Sequence, residues 1–89
     1  MDFEWDENKS AANFRKHGVT FLEASEAFAD DFSSEVADPD HSEGEYRYLL
    51  FGKTDSDKYV VVSYTERDER IRIISARNMT RSERKAYEQ

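Results

Sequence analysis

The side chains best suited to chemistry crowd one end of the chain. Arg67, Arg70, Arg72, Arg77, Arg81, Arg84 and Lys85 fall within nineteen positions, and six of the seven are arginine. A guanidinium presents a rigid fork of donors that matches phosphate oxygens two at a time, which an ammonium does not. Residues 46–89 hold 7 acidic and 10 basic side chains, whereas residues 1–45 hold 13 acidic and 3 basic. The net charge of −7 therefore hides a basic half. Such a half suits an anionic partner, although the interspersed Glu66, Asp68, Glu69 and Glu83 are equally those of an ordinary mixed-charge surface.

Guanidiniums gathered on one phosphate suit attack of a ribose 2′-hydroxyl on the adjacent phosphodiester, an RNA cleavage that needs no metal. Arginines would stabilise the charge growing on the phosphate, and a His, Glu or Tyr would move the protons. Of the two histidines, His17 stands where a helix should end, so it either caps free carbonyls or transfers protons. His41 follows Asp38-Pro39-Asp40 and precedes Glu43 and Glu45. No spacing there fits a known metal loop, and we expect a solvated turn and no metal.

Other chemistries lack their residues. There is no cysteine, which excludes a disulfide framework, a thiolate zinc site and a thiol nucleophile. Gly18, Gly44 and Gly52 are too scattered for a phosphate-cradling loop. No Gly-x-Ser-x-Gly elbow occurs, and Ser63 and Ser75 read as strand residues. No cofactor is expected.

The elements that position these groups follow from spacing. Eighty-nine residues make one domain, 1–89, whose 37% apolar content is lean but includes twelve aromatics. Asp6 caps a helix Glu7–His17 with Trp5, Ala11, Ala12 and Phe14 at helical spacing, ended by Gly18. Thr20 and Glu23 form a capping box for a second helix running to about Ala29, with Phe21, Ala24 and Phe28 inward. Phe32–Ala37 is a weak strand candidate closed by Asp38-Pro39-Asp40. Tyr46–Thr54, Lys58–Glu66 and Arg70–Ala76 are rich in β-branched and aromatic residues and are separated by turn-forming breaks. They predict an antiparallel meander. Thr80 and Glu83 open a last helix, Arg81–Glu88. The expected fold is α+β: two N-terminal helices, an antiparallel sheet of three to four strands, and a C-terminal helix. Strict alternation puts Arg72 and Arg77 on opposite sides of their strand unless a bulge near Ile74-Ser75 resets the phase.

Several ordered blocks then carry a resemblance: Phe3-Glu4-Trp5-Asp6, Lys16-His17-Gly18-Val19, Asp38-Pro39-Asp40-His41-Ser42, Glu45-x-Arg47, and Arg72-Ile73-Ile74-Ser75-Ala76-Arg77 with Glu83-Arg84 and Tyr87. Together they resemble the BrnT toxin family over nearly the whole chain. The resemblance implies a RelE-like fold and a ribonuclease toxin of a type II toxin–antitoxin pair. It also implies metal-free RNA cleavage that inhibits translation and growth, and neutralisation by a BrnA-like antitoxin that itself binds DNA. On that footing Arg77 and Arg67 would stabilise the phosphate, His17 or Glu66 would transfer protons, and Tyr87 would orient the substrate or donate a proton. Lys16, Arg47, Arg72, Arg81 and Arg84 would hold RNA.

A non-catalytic interaction module, or an inactive toxin homologue, is the competing expectation, with the acidic half docking a basic partner. The acidic start Met1-Asp2-Phe3-Glu4 and the lack of any long apolar stretch predict a cytoplasmic protein without membrane contact.

Overall fold

Side-chain caps start all three helices. In the computed structural model, which describes residues 1–38 and 44–89, Asp6 Oδ1 accepts hydrogen bonds from the N–H groups of Asn8 and Lys9 and opens α1 (Glu7–His17). Reciprocal boxes formed by Thr20 with Glu23 and by Thr80 with Glu83 open α2 (Phe21–Glu26) and α3 (Arg81–Tyr87). Gly18 stops α1 by adopting a φ of 73°, as the sequence predicts. α2 stops short of the expected Ala29, because Ala27–Ala29 tightens into one 3-10 turn.

The strands β1 (Asp2–Glu4), β2 (Ser34–Ala37), β3 (Tyr48–Lys53), β4 (Tyr59–Arg67) and β5 (Arg70–Asn78) form one sheet in the order β1-β5-β4-β3-β2. The antiparallel run β2 to β5 is the predicted meander. The expectation of three to four antiparallel strands needs correction, since β1 adds a fifth strand parallel to β5, with Phe3 opposite Ile71. Three residues are too few to show a period of two, and the partner lies 68 positions away.

α1, α2 and the 3-10 turn cover one side of this sheet, while α3 meets the other through Arg77 and Phe51. Val19, Phe21, Ala24 and Ala27 pack on Leu50, Val60, Val62, Tyr64, Ile73 and Ala76. Phe28 bridges Phe3 and Tyr64 by edge-to-face contacts at 5.1 and 4.9 Å. The 3-10 turn crosses β3 so closely that a Cβ on Gly52 would meet the Ala27 carbonyl oxygen at 2.9 Å.

The inward stripe expected on α1 is also corrected. Ala11, Ala12 and Phe14 are exposed, and Ser10 and Asn13 are buried instead. Ser10 Oγ accepts the Phe21 N–H at 3.0 Å. Asn13 Nδ2 donates to the Val19 and Ala76 carbonyls, each at 2.8 Å, and its Oδ1 accepts the Ala76 N–H at 3.1 Å. Helix and sheet are joined here by an amide rather than by apolar packing, because these backbone groups are shielded from water and need partners.

Two details of the β4–β5 hairpin matter for the site. Its loop is the pair Asp68-Glu69, with φ values of 51° and 67°, as a two-residue hairpin turn of the primed kind requires. In the ladder Tyr64 pairs with Ile73 while Ser63 pairs with Ser75, so Ile74 is an extra residue, a β-bulge. Among the described residues no helix is long and apolar enough to cross a membrane.

Candidate functional site

The bulge at Ile74 decides which arginines share a side. Directly opposed residues of an antiparallel pair point the same way, and Arg72 lies opposite Thr65 while Arg77 lies opposite Val61. Thr65 and Val61 are four apart on β4, so both arginines face away from the helix layer that covers Val60, Val62 and Tyr64. Arg67 and Arg70 pair at the hairpin end and share that side. Arg47, one step beyond the Tyr48–Tyr64 pair, joins them.

Sharing a side is not the same as sharing a phosphate. Arg67 and Val61, the partner of Arg77, are six residues apart on β4, which at about 3.3 Å per residue is about 20 Å. The expectation that these guanidiniums converge on one phosphate is therefore corrected to a row along the sheet. The tightest grouping is a cavity of 310 Å³ lined by Arg47 and Arg77 with Asp38, Leu49, Ser63, Ile74 and Ser75.

Most of the row is held by carboxylates. Arg77 Nη1 and Nη2 donate to Glu83 Oε1 and Oε2 at 2.7 and 2.9 Å, a two-pronged pair between β5 and the first turn of α3. That hydrogen bonding raises the affinity of Arg77 for its proton and holds the Glu83 carboxyl down at about 2, with the Thr80 N–H and hydroxyl adding to the effect. Arg72 Nη1 meets Glu4 Oε2 at 2.9 Å. Glu45 serves two arginines, Arg67 at 3.1 Å and Arg47 at 3.9 Å.

The remaining candidates are spread more widely. Tyr87 donates its phenolic proton to Asp30 Oδ2 and packs edge-on against Tyr59 at 5.7 Å. Burial and then the Asp30 carboxylate push that phenol well above its ordinary range. Burial alone would raise Asp30, yet the hydrogen bonds from Tyr87 and from the Phe32 and Lys53 N–H groups keep it below the usual carboxylate value. Arg84 lies over the Tyr59 ring, 3.9 Å from its centroid, and faces Glu88 at 3.7 Å. His17 closes α1 on the helix layer, and its carbonyl accepts from Asn78 Nδ2 at 3.1 Å, next door to Arg77. Glu66 is exposed and shares its side with its partner Ile71, the helix side, so it does not join the arginine row. Lys16 and Arg81 are exposed at the end of α1 and the start of α3.

Pro39, Asp40, His41 and Glu43 lie outside the described residues. Among the described residues, no group of three or more carboxylate or imidazole side chains is placed to hold a metal ion.

Reading the sequence missed Glu4 as the partner of Arg72 and Asp30 as that of Tyr87. Both pairings cross more than fifty residues and leave no local pattern. It also missed Asn13, for which the one signal is that Ser10, Asn13 and His17 recur at helical spacing on a face otherwise assumed apolar.

The family described as "Ribonuclease toxin, BrnT, of type II toxin-antitoxin system" matches residues 5–83. The chain belongs to the BrnT family. That match takes in His17, Arg47, Arg67, Arg72 and Arg77 and ends at Glu83, leaving Arg84 and Tyr87 beyond it. The crystal structure of the Brucella abortus ribonuclease toxin BrnT is similar to this chain with a TM-score of 0.65 and 23% identity, covering 91% of this chain and 99% of that one. At that identity the likeness establishes the α+β fold. No curated protein sequence matches. Membership in the BrnT family makes the protein a ribonuclease toxin of a type II toxin–antitoxin system, with an antitoxin as its partner.

Proposed function

We propose that this chain cleaves RNA without a metal, by attack of a ribose 2′-hydroxyl on the neighbouring phosphate, and that the cleavage stops translation and growth until a BrnA-like antitoxin neutralises it. DNA is contacted only through that antitoxin. The observation that carries the reading is the bulge at Ile74, which brings Arg72 and Arg77 to one open side of the sheet together with Arg47. Donors fixed in advance where charge develops supply the largest share of catalysis in such reactions. Arg77, with Arg47 across the cavity, contacts the scissile phosphate. Arg72 and Arg67, further along the row, hold flanking phosphates, and Lys16, Arg81 and Arg84 extend the basic track. Proton transfer falls to His17 ahead of Glu66. Both lie on the helix side of the sheet, but His17 sits at the Arg77 end of β5, where RNA can reach around it, and Glu66 at the far hairpin end. Tyr87 stays neutral at physiological pH and can only donate or orient, not accept.

Glu83 occupies both prongs of Arg77, as a phosphate would, so RNA competes with it for the guanidinium. Binding should weaken steeply with salt, because phosphate contacts release counterions. Incubating the purified protein with total RNA, with and without EDTA, tests the reading. Cleavage should survive EDTA and fall by about 100-fold or more in Arg77→Ala, the usual cost of losing one donor to a developing anion, while Glu83→Gln, which loses the same ion pair, controls for the drop in melting temperature. Cleavage abolished by EDTA would overturn the metal-free step.

The carboxylates on Arg67, Arg72 and Arg77 favour a second reading, that of a homologue which docks its partner but cleaves nothing. Folded wild-type protein that leaves RNA intact, and cells that grow normally while it accumulates, would establish it.

A further inference from the structure

β2 is an outer strand of the sheet, paired on one side with β3, and all four of its residues are exposed. Proteins usually blunt such an edge, because its free N–H and C=O groups recruit another strand. Here the edge adjoins an apolar cleft. A space of 380 Å³ lies between β2 and α3, with Val36, Phe51, Ala86 and Tyr87 among its walls. Val36 remains 48% exposed beside it, and Phe32, just ahead of the strand, is 80% exposed.

The two sides of β2 differ in chemistry. Ser34 and Val36 lie opposite Phe51 and Leu49 and face the cleft side, whereas Glu35 lies opposite the core residue Leu50 and faces the other way. The stretch that carries β2 is acidic. From residue 17 to residue 46 the chain has nine Asp and Glu and no Lys or Arg. A second copy of this chain would bring Glu35 and Asp31 against their own kind, which disfavours self-pairing through this edge.

We infer that β2 is a docking edge for an extended basic segment of a partner protein, added as a sixth strand with apolar side chains turned to the Val36 cleft and Lys or Arg turned to Glu35. Main-chain hydrogen bonds hold such a strand, and alternate side chains select it. The partner's segment thus alternates apolar and basic residues. Assigning it to the antitoxin rests on the toxin reading above; the edge and its preference do not. The cleft is also walled by Glu83, the partner of Arg77, so a strand seated there adjoins the Arg77 end of the arginine row.

Three synthetic octapeptides test this: Val and Lys in alternation, the same residues in two blocks, and Val alternating with Glu. Binding is measured by titration calorimetry, and its location by amide hydrogen exchange of the full chain. The alternating Val-Lys peptide should protect residues 34–37 and bind about tenfold or more tightly than either control, the gain expected when register and charge both match. Val36→Asp and Glu35→Lys should each weaken it by about tenfold or more, while RNA cleavage by both variants stays at the wild-type level. Equal affinity for the block peptide, protection confined to other residues, or unchanged binding by both variants overturns the inference. Self-association of the free protein through residues 34–37 does the same. If the wild type binds the peptide as stated but cleaves no RNA, the ribonuclease reading falls while the docking edge stands.

Discussion

The two sides of β4 are built from alternate residues of one strand and obey different rules. Val60, Val62 and Tyr64 lie under the helices, nearly free of solvent, in a cluster closed by the Asn13 amide. Val61, Ser63 and Thr65 turn the other way, under a row of arginines that are matched by carboxylates from distant parts of the chain. The first side is held by shape, the second by charge. What keeps them apart is one unpaired residue, Ile74, and the chain's arginines are useful as a group only because of it.

Inserting one residue between Ser63 and Tyr64 breaks the comparison most severely. It gives Ile74 a partner, removes the bulge, and turns Val60 and Val62 out of the core in the same stroke. Such a variant should lose cooperative unfolding and near-ultraviolet circular dichroism. Deleting Ile74 leaves Ser63 opposite Ser75 and should preserve the fold, so the two variants together show that phase rather than length matters.

Asn13→Ala sharpens the comparison on the helix side. It strands the Ala76 N–H and the Val19 and Ala76 carbonyls in a buried site, and should cost about 3 kcal/mol in urea unfolding, the usual penalty for orphaned buried groups. A loss near zero would mean that water replaces the amide.

The charged side should answer to acid instead. Because Glu83 is depressed from its ordinary 4.5 to about 2, its contribution to stability is complete above pH 4.5 and fades as the pH falls toward 2. Glu83→Gln should therefore melt below the wild type at pH 7, and the gap should close by about pH 2 to 3. A gap that persists unchanged across that range would place the stabilisation somewhere other than the Arg77 pair.

The smallest effect is expected at the hairpin. Glu69, at a φ of 67°, is a side-chain-bearing residue in left-handed backbone. Glu69→Gly should raise stability by about 1 kcal/mol, read as a shift in the thermal midpoint with no change in RNA cleavage.

Much of this architecture is legible in the sequence because its causes are local. Caps at Asp6, Thr20 and Thr80 fix where helices begin, Gly18 fixes where one stops, and the β-branched runs fix three strands. The need for a bulge near Ile74-Ser75 is visible too, since without it Arg72 and Arg77 cannot share a side. What escapes is non-local. β1 is recognisable as a strand only beside β5, and the buried Ser10 and Asn13 make sense only once Phe21, Val19 and Ala76 are seen to need partners. In the site the sequence names the arginines but not their spacing. The 20 Å or so between Arg67 and Arg77 follows from strand rise and register, and register is decided by the whole sheet.

The parallel strand at the chain's start has a consequence for synthesis. β1 and the Asn13 amide both find their partners on β5, 68 and 63 residues downstream. Contacts between segments so far apart form late, after the entropy of closing the intervening loop has been overcome. On a translating ribosome the first helix and strand must wait, unanchored, until residues 70–78 have emerged. The sheet that aligns the arginines is thus closed only once residue 78 is out, and until then the toxin has no ordered row with which to meet a phosphate.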